Sequence, residues 1–181
     1  LEGGAIISPS KEIKNKIDQL KNFGIIGQTE VQGLGINGKM DEMRAAFGLL
    51  QLKDMTNVFN KRKKISKIYR TILKNTKGIN FLNPIETPKK ENYAYLPILV
   101  TEDYPISRDE LFYLLEKNSI YSRRYFYPLI TSFTEYSNLP HVNSNDYPIA
   151  LSASEQVICL PIYPDLEINT VKFIANLISQ V

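Results

Sequence analysis

Cysteine and histidine are nearly absent from this 181-residue sequence, with one of each. A single cysteine, Cys159, has no partner for an internal bridge. That excludes a disulfide scaffold and points to a reducing compartment, here the cytoplasm. With one cysteine and one histidine, His141, no cluster has zinc-ligand spacing, so no metal site is expected. His141 lies between Pro140 and Val142 in a turn-rich stretch that suits a solvated side chain. Cys159 sits in an apolar run, where burial raises a thiol pKa and argues against a nucleophile. No apolar stretch approaches the roughly 20 residues of a membrane-spanning helix, and no signal peptide opens the sequence. No membrane partner is expected. Apolar residues at 43% and charged residues at 23% exclude a disordered tail or a collagen-like repeat. The first residue is Leu1, not methionine, so the chain is expected to be a piece of something longer.

Charge is present but uneven. Residues 1–90 hold 17 Lys/Arg against 8 Asp/Glu, and residues 91–181 hold 5 against 11. The densest run, Lys61-Arg62-Lys63-Lys64, continues at helical spacing through Lys67, Arg70 and Lys74. Such runs neutralise phosphates on nucleic acids, yet Val58, Ile65, Ile68, Tyr69, Ile72 and Leu73 form an apolar stripe that leaves the bases on the opposite, solvated face. No aromatic residue interleaves with them to stack a base, so no nucleic-acid partner is expected.

The elements follow from local signals. Glu2 to Ile7 reads as a glycine turn entering a short strand. Ser8-Pro9 starts a helix with Ile13, Ile17 and Leu20 on one face, and Gly24 terminates it. Residues 24–40 read as a long loop, and Asp41 caps a helix that runs to about Asn75. Beyond it come strands over Tyr93–Val100 and Ile120–Tyr127, with Pro97 arguing for an edge or a bulge. Between them Ser107 and Glu110 spell a capping box ahead of Leu111, Leu114 and Leu115. Residues 129–150 are turn-rich, Ala150–Val157 is helical, and Asn169 caps a last helix with Val171, Ile174, Leu177 and Ile178 inward. The boundary is set near residue 75, giving segments 1–75 and 76–181, the second a small α+β domain.

Two constellations carry chemistry. Gly35-Ile36-Asn37-Gly38-Lys39, ahead of a helix start, offers an amide, a cation and pliant backbone that suit a phosphate. It also reads as a structural Asn–Gly turn with a surface lysine. Ser122-Arg123-Arg124-Tyr125-Phe126-Tyr127-Pro128 places two guanidiniums beside three rings, which suits a phosphorylated, ring-bearing ligand. An edge strand with alternating sides would look the same. The residues read alone describe a binding surface without a catalyst.

Glu2-Gly3-Gly4-Ala5-Ile6, then Gly35 to Met40, then Glu42 to Leu52, resemble the DegT/StrS family of nucleotide-sugar aminotransferases in order, spacing and chemistry. The resemblance continues through Lys61-Arg62, Arg108 to Leu111, Arg123 to Pro128 and Leu160-Pro161, and so covers essentially the whole chain. It implies a type I PLP aminotransferase fold, with 1–75 as the end of the large cofactor domain plus a long connecting helix and 76–181 as the small domain. It implies pyridoxal 5′-phosphate as cofactor, a homodimer, and transfer of an amino group from glutamate to a keto sugar nucleotide. The product would serve cell-surface polysaccharide or secondary-metabolite sugars. The family's cofactor-anchoring lysine falls just before Leu1, so no catalytic residue is expected here and the isolated chain should be inactive. Asn37 matches the asparagine that bonds the neighbouring subunit's cofactor phosphate. Lys39 matches a position, often arginine, that contacts acidic parts of substrates. Tyr125 and Phe126 match an aromatic pair lining the sugar pocket, in a variant resembling members that act on dTDP-linked deoxyhexoses, and Arg123 matches the arginine of the same segment. The alternative is a non-catalytic sugar-nucleotide-binding or regulatory module on the same scaffold.

Overall fold

The computed structural model describes residues 2–82 and 91–181. It is a mixed helix-and-sheet, α+β structure that divides into two compact units, Leu1–Met55 and Thr56–Val181. This division falls inside a helix and marks where local packing changes, a different line from the large-domain limit expected near residue 75. The physical reason is the apolar stripe: Ile65, Tyr69 and Leu73 in the second half of that helix are buried in the core of the second unit.

In the first unit α1 spans Lys11–Leu20, capped by Ser10 and not by Ser8. The Ser10 hydroxyl accepts from the Ile13 amide, while Ser8 Oγ donates to the Ser10 carbonyl and accepts from the Ser10 amide. No strand forms over residues 5–7. After α1 the chain turns at Gly24, whose φ of +77° and a would-be Cβ only 2.3 Å from the Gly33 carbonyl oxygen admit no side chain. The stretch read as a plain loop carries a small hairpin, with β1 (Ile25–Ile26) antiparallel to β2 (Glu30–Val31). Helix α2 then runs from Glu42 to Leu73. Asp41 starts it as expected, its Oδ1 accepting the Arg44 amide at 2.9 Å.

The second unit is built on a three-stranded antiparallel sheet of β3 (Ile79–Phe81), β4 (Leu96–Val100) and β5 (Val157–Leu160), in the order β3-β4-β5. Gly78, at φ +79°, turns the chain from α2 into β3, and a Cβ there would lie 2.1 Å from the Tyr104 amide nitrogen. Pro97 lies in the central strand, not on an edge, and the register shows why it is tolerated. The β3 pairing ends at Phe81↔Ile98, so beside Pro97 only β5 is paired, opposite Cys159. No β3 carbonyl is waiting for the amide hydrogen that proline lacks. Leu96, Ile98 and Val100 alternate into the core.

Helix α3 (Arg108–Lys117) has the full capping box, and Leu111 and Leu115 are buried behind it. The stretch Ile120–Tyr127 is not a strand. It touches the sheet through one antiparallel bridge, Arg123↔Cys159, and then turns away. Short turns follow as expected: a 3₁₀ turn over Ile130–Ser132, α4 (Thr134–Ser137) and a second 3₁₀ turn over Ser144–Asp146. Helix α5 (Pro148–Gln156) leads into β5, and α6 (Ile168–Ser179) closes the unit. Asn169 does not cap α6. Glu167 occupies the cap without a side-chain bond. Val171, Ile174 and Ile178 point inward with Leu177 partly buried, and the Tyr104 hydroxyl donates to the Ile178 carbonyl at 2.6 Å. Arg70, read as solvated, is buried instead, its guanidinium 4.6 Å from the Phe81 ring centre.

Candidate functional site

In the first unit, Asn37 and Lys39 are presented by a stretch zipped onto the end of α1. The Ile36 amide donates to Leu20 and the Gly38 amide to Lys21, each at 2.8 Å. Asn37 is thereby held by backbone bonds that leave its exposed amide free among the described residues. Lys39 is not free. Its Nζ donates to Asn22 Oδ1 at 2.8 Å and stands 4.5 Å over the Phe23 ring. The start of α2 is also taken: the Arg44 amide and then its guanidinium hold the Asp41 carboxyl below the usual carboxylate range, so an acid already faces the positive end of the helix. Of the expected anion site, the Asn37 amide is the part left available.

In the second unit, Arg123, Tyr125 and Phe126 follow the bridge to β5. The Arg123 amide donates to the Cys159 carbonyl at 3.1 Å and the Cys159 amide returns a bond at 2.7 Å. Tyr125 meets Tyr95 edge-to-face at 5.5 Å and stacks on Phe126 at 4.8 Å. Arg123 and Tyr125 line a cavity of about 210 Å³, into which Arg62, Tyr95, Tyr121 and Tyr163 also project. Phe126 does not line it but backs Tyr125. Cys159 borders the cavity too, and burial pushes its thiol up, which fits its reading as no nucleophile.

A charged anchor sets this segment in place. Arg124 Nη1 donates to Asp109 Oδ1 at 2.8 Å, and its guanidinium lies 4.4 Å from the Phe112 ring. Arg108, only 5% exposed, donates from Nη1 to the carbonyls of Ser154 and Val157, each at 3.0 Å, and lies 4.5 Å from the Tyr127 ring. Its Nε is 2.8 Å from Asp109 Oδ1, an ion-pair distance without hydrogen-bond alignment. Burial pushes the Asp109 carboxyl up, but the hydrogen bond from Arg124 and the charges of both arginines outweigh it, so the net direction is down.

Sequence reasoning missed Arg62, which was assigned to the solvated face, and the tyrosines gathered around it. Arg62 differs from its neighbours by one detail, its place at i−3 from buried Ile65, which sets it at the border of the apolar stripe. The anchor was missed because Arg108 and Asp109 read only as parts of a capping box. No group of three or more His, Cys, Asp or Glu suited to a metal occurs among the described residues. No helix among them is long and apolar enough to cross a membrane.

The model of the DegT/DnrJ/EryC1/StrS aminotransferase family matches residues 1–179. The chain belongs to that family. It is 48% identical over 177 residues to the dTDP-4-amino-4,6-dideoxy-D-glucose transaminase of Escherichia coli, a match covering 98% of this chain and 47% of that protein. It is 44% identical over 180 residues to the enzyme of the same name from Shigella dysenteriae, covering 99% and 48%. The chain thus spans about half the length of these curated relatives. Its fold is that of S. venezuelae DesV, solved in complex with a ketimine intermediate, at a TM-score of 0.84 and 23% identity over 96% of this chain and 45% of that one.

One side chain of the first unit has chemistry that suits a phosphate-bearing cofactor such as pyridoxal 5′-phosphate. The unpaired Asn37 amide is a neutral donor suited to a phosphate oxygen.

Proposed function

We propose that this chain is the C-terminal part of a cytoplasmic, homodimeric, pyridoxal-phosphate-dependent transaminase. It moves an amino group from glutamate to a keto sugar nucleotide, a dTDP-linked 4-keto-6-deoxyhexose, and returns 2-oxoglutarate. The reading is carried by the 48% identity, over 98% of this chain, to a dTDP-4-amino-4,6-dideoxy-D-glucose transaminase. The free Asn37 amide and the arginine-and-tyrosine cavity support it.

In this reading the cofactor, when bound, supplies the electron sink that lets the amino group change carriers. Asn37 donates to its phosphate across the dimer. Lys39, held by Asn22 and Phe23, sets a positive charge beside the acidic parts of the substrates as a point charge without an arginine's fork. Tyr125 and Phe126 form a stacked wall for the sugar end, with a hydroxyl from Tyr125 alone to bond it. Arg123 faces the substrate's negative groups. Residues 1–75 close the large domain and connect it to the small domain, 76–181.

The test uses the native-length gene product. It should carry the absorbance of bound cofactor, lose it on borohydride treatment with label on one lysine upstream of Leu1, and release 2-oxoglutarate when given glutamate and the dTDP-linked keto sugar. The 181-residue chain alone should trap no cofactor. A native product without that absorbance or that release would instead be a binding or regulatory module.

A further inference from the structure

The charge around the 210 Å³ cavity is one-sided. Arg62 and Arg123 line it with four tyrosines, and no carboxylate among the described residues does. The acids of adjoining segments are engaged elsewhere, Asp165 by Lys61 at 3.1 Å and Asp109 by Arg124 at 2.8 Å. Arg62 reaches the cavity from α2 with a buried Nε that has no hydrogen-bond partner among the described residues. The Arg123 side chain makes no bond with them either, although its backbone is fixed to β5 at both amide and carbonyl. A buried donor left unpaired bears its full desolvation penalty, and a guanidinium does not shed its proton to escape it. Arg62 is such a donor, and the exposed Arg123 adds a second cation at the same cavity, which together call for an anion from outside.

We infer that this cavity is an oxyanion subsite that takes a carboxylate or phosphate group of a substrate. Arg62 and Arg123 are its cations, and the rings of Tyr95, Tyr121, Tyr125 and Tyr163 are its walls. The size agrees. A cavity of about 210 Å³ is smaller than the roughly 300–1,000 Å³ that encloses a whole ligand, so it accepts a charged end group and not a complete nucleotide sugar. The planar fork of arginine suits either oxyanion by paired N–H···O bonds. The inference rests on the transaminase reading only for its two sources, the carboxylate of the amino donor and the diphosphate of the nucleotide.

The experiment is calorimetric titration of the native-length protein at low salt with sodium pyrophosphate and, separately, with glutarate, which binds like the donor but cannot react. One probe is expected to bind, and Arg62→Gln and Arg123→Gln should each weaken it about tenfold, the effect of one lost charge-assisted pair. Arg62→Lys should fall between, since it keeps the charge and loses the fork, and it carries the test should Arg62→Gln misfold by circular dichroism. Lys63→Gln, exposed on the same helix, should change nothing. A pyrophosphate response assigns the subsite to the nucleotide, and a glutarate response to the amino donor. Absence of binding, or equal weakening by Lys63→Gln, overturns the subsite. Because the transaminase reading is scored separately by cofactor absorbance and 2-oxoglutarate release, either can fail while the other stands.

Discussion

Asn37 and Lys39 stand two residues apart and should answer differently to substitution. The Asn37 side chain is exposed and makes no bond with the described residues, so nothing in the fold depends on it. Asn37→Ala should leave the melting midpoint of the native-length protein unchanged, within the roughly 0.5 kcal/mol of an ordinary surface change. Its affinity for pyridoxal 5′-phosphate, read by absorbance titration, should fall about tenfold, the worth of one hydrogen bond to a charged oxygen. Unchanged affinity would remove Asn37 from the phosphate. Lys39 already spends its ammonium on Asn22 and the Phe23 ring. Any contact it makes with a substrate has to compete with those two, which spacing along the sequence could not reveal.

Among the elements, those written in contacts three or four residues long were legible in advance. The Ser107–Glu110 box and the Asp41 start are such cases, because donor and acceptor lie within one turn. The cap of α1 expected at Ser8 falls at Ser10 instead, since Ser8 bonds Ser10 and Ser10 caps the helix. The Ile120–Tyr127 stretch has strand composition but meets β5 at Arg123 alone, and β-propensity yields to the long-range partners that composition does not encode. Arg124 and Arg108 supply those partners through Asp109. The Asp109 carboxyl sits below its usual value in the fold, so its stabilisation is complete above the unfolded value and is lost as pH falls through the folded one. Its side chain is 49% exposed, so solvent screens much of that contribution. Thermal melts of the native-length protein from about pH 5 to about pH 3 should therefore flatten in Asp109→Asn relative to the parent, with the sugar-nucleotide KM rising as the Tyr125–Phe126 segment loosens. An identical acid limb in both would free Asp109 of that role.

The two units differ in what holds them. Among the described residues twenty-one apolar ones are buried, and every one of these lies between Ile65 and Ile178. Of the described residues 2–55 only Gly24 is buried, while Met43, Leu49, Leu50 and Leu52 of α2 are each more than half exposed. Apolar burial at about 25 cal/mol per Å² is the main term opposing chain entropy. The second unit has that term, and the first rests on backbone bonds such as those joining Ile36 to Leu20 and Gly38 to Lys21. Native-state hydrogen exchange on the 181-residue chain should accordingly separate them. Amides of Ile98, Leu111, Leu115 and Ile174 should open only with global unfolding. Those of α1 and the hairpin should exchange orders of magnitude faster, through local opening. Adding denaturant below the midpoint should accelerate the first group steeply and the second hardly at all, because the slope follows the surface exposed in each opening. Equal protection in both units would mean that residues 2–55 acquire a buried core in solution. The exposed leucines and Met43 of α2 are where such a core would have to form, and their slowed exchange would locate it.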